Sequence, residues 1–266
     1  MHDLGPALLF CPADRPDRFE KAAARADTVI LDLEDAVAAD AKEAARANLR
    51  ATALDPDRVI VRINAADSGH LDADLAAVAD TDFRTVMLAK AEDAAALDRL
   101  PDRLGVIALC ETARGVQSAE RLAAHPRTIG LMWGAEDLVA SLGGTSSRRP
   151  DGTYRDIARS ARARVLLAAG AEGKIAVDAV HVDIDDLEGL ADEAADAAAS
   201  GFSATACIHP GQVAVIRNAY RPDAESIAWA HAVLTAAEGE RGVFRFDGKM
   251  VDEPVLRHAR SVLARA

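Results

Sequence analysis

The sequence predicts an α/β fold: a single (β/α)8 TIM barrel with a C-terminal extension of helices and a hairpin. Two observations carry that prediction. Short β-rich apolar runs alternate with Ala-, Arg- and Glu-rich helical segments from one end of the chain to the other, the pattern of repeated βα units around a parallel sheet. Eight such runs can be counted, and no Gly-x-Gly-x-x-Gly follows the first, which weighs against the alternative of a doubly wound dinucleotide fold. There is no internal repeat, linker or low-complexity tract beyond alanine-rich helices. One barrel over residues 1–210 and one extension over 211–266 therefore account for the chain.

The strands fall at 7–10, 28–32, 59–63, 85–89, 105–110, 128–133, 174–178 and 204–208. Between the second and third, residues 40–53 bring Ala41, Ala44, Ala45, Leu49 and Ala53 near one helical face; a further helix over 154–170 ends on a glycine stop. The stretch SLGGTSSRRPDGTY (141–154) is rich in glycine, serine and turn residues and is long enough to be a functional loop. After the eighth strand come helices near 211–219 and 223–239, the segment GVFRFDGKMV with an Asp-Gly hairpin signal, and a last helix near 253–265.

The charge balance, 43 Asp and Glu against 31 Lys and Arg, excludes broad binding to nucleic acid or anionic membrane. No apolar run approaches the roughly 18–20 residues that cross a bilayer, and the N-terminus lacks a basic segment leading into a long apolar one. Cys11, Cys110 and Cys207 lie in or beside apolar runs without CxxC spacing, so they read as buried free thiols. A soluble, cytoplasmic protein is expected.

In a TIM barrel the chemistry sits at the C-terminal strand ends. Five consecutive strands deliver charge there: the second runs into Asp32, Glu34 and Asp35, the third into Arg62 and Asn64, the fourth into Lys90 and Glu92, the fifth into Glu111, the sixth into Glu136 and Asp137. Strand alternation groups Ile30 with Asp32, Ile60 with Arg62, Val86 and Leu88 with Lys90, and Ile107 and Leu109 with Glu111, so the charges extend apolar rows. Converging carboxylates need a cation, and all-oxygen ligation by one or two protein carboxylates suits Mg²⁺. Glu111 and Asp137 are the proposed ligands.

Blander readings stand beside these. Asp32, Glu34 and Asp35 can brace ion pairs or contact a ligand; Arg62 can be a structural pair or a fork for a substrate carboxylate or thioester oxygen. Lys90 can neutralise Glu34 or Glu111 as readily as touch substrate, and Glu111 and Asp137 can be helix caps. His209 reads as a hydrogen-bonded structural group before a general base, Arg148 and Arg149 as solvated loop charges, Trp133 and Trp229 as packing. Neither a Gly-x-Ser-x-Gly elbow nor a P-loop is present.

In order and spacing, LLFCPADRPDRFEKA (8–22), VILDLEDAV (29–37), VRIN (61–64), AKAE (89–92), ETARGV (111–116), GLMWGAEDL (130–138), CIHPGQV (207–213) and FRFDGKMVDEP (244–254) resemble the citrate lyase β-subunit-like branch of the HpcH/HpaI aldolase superfamily. The resemblance implies a Mg²⁺-dependent carbon–carbon lyase of the malyl-CoA or citramalyl-CoA type. It would cleave a β-hydroxyacyl-CoA thioester into an acyl-CoA such as acetyl-CoA and an α-keto acid, as a homotrimer or hexamer. It places Mg²⁺ on Glu111 and Asp137, the enolate oxygen on Arg62, the substrate carboxylate on the main-chain N–H groups near Gly134 and Ala135, and the proton-transferring acid on Asp252. Asp32, Glu34 and Lys90 complete the substrate-binding set, and the extension would pack over the barrel mouth of a neighbouring subunit. The alternatives are a citrate lyase β subunit acting on citryl-acyl carrier protein, and a non-catalytic barrel that binds an acyl thioester. The family often has proline where Ala89 stands and lysine where Thr205 stands.

Overall fold

A run of four to six apolar residues that must be covered on both faces is best served by a closed barrel wrapped in helices. The computed structural model describes residues 4–240 and 242–266. Eight parallel strands close in sequential order: β1 (Ala7–Pro12), β2 (Thr28–Asp32), β3 (Val59–Ile63), β4 (Thr85–Leu88), β5 (Gly105–Cys110), β6 (Thr128–Trp133), β7 (Ile175–Asp178) and β8 (Ala204–Cys207). The expected (β/α)8 barrel is present, each strand end within two residues of its place in the sequence reading. Connections are made by α1 (Phe19–Ala23), α2 (Lys42–Ala51), α3 (Leu71–Ala79), α4 (Ala113–Ala124), α5 (Ala135–Ser141), α6 (Asp156–Ala171) and α7 (Leu187–Ser200); between β4 and β5 only a 3-10 helix, Ala94–Arg99, intervenes. Then follow α8 (Val213–Tyr220), α9 (Ala224–Ala237), β9 (Phe244–Phe246), β10 (Lys249–Val251) and α10 (Glu253–Ala264). The chain divides into two compact units, one reaching Ile216 and the other Arg217–Ala266. Among the described residues no helix is long and apolar enough to cross a membrane.

The barrel interior is filled by Leu8, Ile30, Ile60, Met87, Ile107, Leu109, Met132 and Val177. Alternation holds on β2, β3 and β5 but fails on β4, where Met87, not Val86 or Leu88, lies in this cluster. Lys90 does not continue the β4 row: its φ of +47° is a left-handed kink just after the strand. On α2 the inward face is also different from the alanine row. Lys42, Ala45, Arg46 and Leu49 are buried, whereas Ala44 and Ala53 are exposed. The two cations turn inward because buried oxygens await them. Lys42 Nζ donates to the carbonyls of Leu33 (2.8 Å) and Glu34 (3.1 Å), and Arg46 Nε to Asp74 Oδ1 (2.8 Å).

In the second unit Ala230, Val233, Val251, Ala259 and Val262 form a core of their own, with Trp229 and Phe244 packed against it. The β9–β10 hairpin turns at Asp247 and Gly248, whose φ values of 45° and 76° suit the Asp-Gly pair. Asp252 is the N-cap of α10, accepting the Val255 N–H at 3.4 Å, with Pro254 in the first turn.

Candidate active site

Register decides which side chains meet. Asp32 stands opposite Arg62 across the β2–β3 pair, and Cys110 opposite Trp133 across β5–β6, which sets Glu111 beside Gly134. The Arg62 guanidinium forks both oxygens of Asp32, from Nε at 2.7 Å and Nη2 at 2.5 Å, and its Nη1 lies 3.2 Å from Glu34 Oε2. It also stacks over Phe10 at 4.8 Å. Burial alone would discharge it, but the bond to Asp32 more than offsets this and Arg62 stays a permanent cation. Among the described residues these contacts occupy three of its five N–H groups. Asp32, 1% exposed, also accepts the N–H groups of Glu34 (2.8 Å) and Ala36 (3.2 Å), so its oxygens are committed to the scaffold.

Lys90 is the hub between strands. The N–H groups of its neighbours are used by the barrel, Ala89 donating to Ile63 O (3.2 Å) and Ala91 to Leu109 O (3.0 Å). A proline at 89 could not make the first of these bonds. The left-handed backbone between them, a strain of about 1 kcal/mol for a side-chain-bearing residue, turns the Lys90 N–H onto Glu111 Oε1 at 3.0 Å. The side chain bonds Glu34 and Asp35 (2.8 Å to the latter) and comes within 3.8 Å of Asp137. Burial opposes its charge, but bonds to Asp35 and Glu34 raise its pKa above the ordinary lysine range.

Glu111 is 3% exposed. Burial, and then the nearby Asp137 carboxylate, push its pKa up to about 8. Two carboxylates that oppose each other's charge, with one oxygen of Glu111 on an amide and the other beside a glycine, could supply oxygen ligands to a hard cation. A Cβ on Gly134 would stand 2.9 Å from Glu111 Cβ and 3.0 Å from its Oε2, so only glycine leaves this corner open. Among the described residues no group of three or more His, Cys, Asp or Glu could hold a metal ion. A pair of carboxylates suits Mg²⁺, which takes one or two protein carboxylates and fills its shell with water or substrate.

The structure thus gathers Asp32, Glu34, Arg62, Lys90, Glu111, Gly134 and Asp137 at the strand ends, with Ala135 opening α5, while Asp252 stands in the second unit. His209 is a cap: its Nδ1 accepts the Gly211 N–H at 3.2 Å and Gln212 answers to its backbone. Arg148 is not a solvated charge, since it pairs with Glu193; Arg149 pairs with Asp156 at 3.0 Å. Cys11, Cys110 and Cys207 are all buried. Missed by the sequence reading is a support layer in which Asp74, fully buried, holds Arg46 and the Asn64 backbone (2.9 Å), and Asn64 Nδ2 joins Lys42 on Leu33 O (2.9 Å). Its one sequence signal is charge at positions 42 and 46 on the helix face that also carries Ala45 and Leu49.

The HpcH/HpaI aldolase/citrate lyase family model matches residues 7–210. The chain belongs to that family. Membership makes it an enzyme of the carbon–carbon lyase class. A citrate lyase subunit beta-like protein from Mycobacterium tuberculosis (H37Rv) is 60% identical over 262 residues, 98% of this chain and 96% of that one. A (3S)-malyl-CoA thioesterase from Cereibacter sphaeroides (ATCC 17029) is 37% identical over 273 residues, 98% and 94% of the two chains. The crystal structure of protein CitE from M. tuberculosis in complex with magnesium, acetoacetate and coenzyme A matches with a TM-score of 0.95 at 59% identity, covering 100% of this chain and 99% of that one.

Proposed function

We propose that the chain is a cytoplasmic Mg²⁺-dependent lyase that cleaves a β-hydroxyacyl-CoA thioester of the malyl-CoA or citramalyl-CoA type into an acyl-CoA, such as acetyl-CoA, and an α-keto acid. The observation that carries this reading is the mutually repelling Glu111 and Asp137 pair set beside the braced Arg62 fork. Glu111 and Asp137 would hold the metal, which supplies Lewis-acid polarisation of the oxygens at the keto-acid end. Arg62 turns its remaining N–H groups on the thioester oxygen, where negative charge develops as the carbon–carbon bond breaks. The N–H groups near Gly134 and Ala135 receive the substrate carboxylate. Asp32 holds Arg62, Glu34 links Arg62 to Lys90, and the three keep the substrate cradle rigid.

Asp252 then protonates the enolate carbon in the cleavage direction and removes that proton in condensation. We place it in the site of a neighbouring subunit of a homotrimer or hexamer, carried there by the extension that begins near residue 211. The ligands of the M. tuberculosis structure, magnesium, a short keto acid and coenzyme A, support this substrate class. A second reading, hydrolysis of the thioester, draws on the Cereibacter relative.

A single assay separates them: purified protein with Mg²⁺ and malyl-, citramalyl- or hydroxymethylglutaryl-CoA, or citryl-acyl carrier protein, with and without EDTA. Lyase chemistry releases keto acid and acyl-CoA; hydrolysis releases free CoA and the hydroxy acid. If no thioester is cleaved to a keto acid, the leading reading is wrong.

A further inference from the structure

The loop joining α5 to α6 is rich in glycine and serine, a composition that ordinarily marks a mobile surface segment. Here it is fastened. Arg148 grips both oxygens of Glu193 on α7, its Nη2 at 3.1 Å, and donates from Nη1 to the Gly152 carbonyl at 2.8 Å. Its guanidinium lies 4.0 Å over the Tyr154 ring, and main-chain bonds close the loop, Arg149 to Thr153 O and Arg155 to Ser147 O, both 2.8 Å. The fastened loop then touches the end of β6 and the first turn of α5. Tyr154 packs edge-on against Trp133 with ring centroids 5.3 Å apart, and buried Ser147 donates from Oγ to Glu136 Oε1 at 2.5 Å. Trp133 immediately precedes Gly134, and Glu136 immediately precedes Asp137.

Asp137 needs such support. Among the described residues its nearest ion-pair partner is Lys90 at 3.8 Å, and it rides on α5, a helix of seven residues. We propose that Arg148 and Ser147 are positioning residues that hold Asp137, Gly134 and Ala135 in place from outside the site, an inference that rests on Asp137 being a cation ligand. Arginine is required at 148 because only its planar fork can meet Glu193, the Gly152 carbonyl and the Tyr154 face together; lysine offers a point charge.

The test is Mg²⁺ affinity by calorimetry on the full chain, with melting temperature and the kcat and KM for thioester cleavage measured alongside. Arg148→Ala is expected to weaken Mg²⁺ binding about 10-fold or more, in the range for loss of an outer support of a metal site. Arg148→Lys should recover only part of this, and Ser147→Ala should weaken binding several-fold with the melting temperature nearly unchanged. A loop that merely tethers the chain would change the melting temperature and leave affinity alone. Asp137→Ala is the reference. If it loses Mg²⁺ while Arg148→Ala and Ser147→Ala bind within twofold of the parent, the positioning claim is overturned and the cation site stands; if Asp137→Ala itself binds normally, both fall. Should Arg148→Ala not fold, Ser147→Ala, which removes one oxygen atom, decides alone.

Discussion

Replacing Asp32 by asparagine tests the strongest electrostatic claim made for this barrel. The side chain keeps its shape, but an amide NH₂ replaces the oxygen that accepts from Arg62 Nη2 (2.5 Å) and the Ala36 N–H (3.2 Å), setting donor against donor. Arg62 is left with its charge, 11% of its side chain exposed, and Glu34 at 3.2 Å as its remaining ion-pair contact among the described residues. Removing one partner of a buried pair costs about 3–5 kcal/mol, and with Glu34 offsetting part of it the expected loss is about 3 kcal/mol. At about 2–4 °C per kcal/mol the melting temperature should fall by about 6–12 °C. Calorimetry and urea denaturation would measure it, with a double-mutant cycle through Arg62→Met. The double variant should be far less destabilised than the sum of the singles, because removing the arginine removes the orphaned charge. A loss below about 1 kcal/mol for Asp32→Asn, or additive singles, would refute the claim that the fork is desolvated.

Two other expectations follow from the two units. Asp252→Asn should keep fold and Mg²⁺ binding and lose about 10²–10⁴ in turnover, the range for a lost general acid–base group; mixing it with Glu111→Ala subunits should restore activity, and failure to do so after reassembly counts against delivery to a neighbour. His181 is held above its ordinary value of about 6.5, chiefly by its bond to Glu193 at 2.9 Å. A raised histidine pKa gives stability that is full below about 6.5 and is lost as pH rises through the folded-state value. The melting temperature of the parent relative to His181→Gln should therefore decline as pH rises above about 6.5. Parallel curves for the two would count against it.

The eight strands were legible because each is a short run dominated by apolar residues and largely buried, and so needs no knowledge of its partners. The strand-end charges were legible for the same reason: a charged residue after such a run has only the barrel rim to occupy. What escaped depended on residues far apart. Arg148 reads as a loop charge until Glu193, forty-five positions on, is brought to it, and the alanine face assigned to residues 40–53 leaves out Lys42 and Arg46, whose partners are the Leu33 carbonyl and Asp74. Lys90 defeated alternation by a different route. A single left-handed residue cancels the period of two, and nothing in the residue type announces it, since lysine has no preference for that conformation.

The crowd of carboxylates at the rim carries a kinetic consequence. Among the described residues Asp32, Glu34, Asp35 and Asp137 outnumber Arg62 and Lys90 at the rim, so the vestibule leans negative and disfavours an anionic thioester that arrives first. A divalent ion seated there cancels most of that charge. Cation and substrate should therefore enter in a fixed sequence, the ion leading, and free CoA compounds should inhibit poorly in its absence.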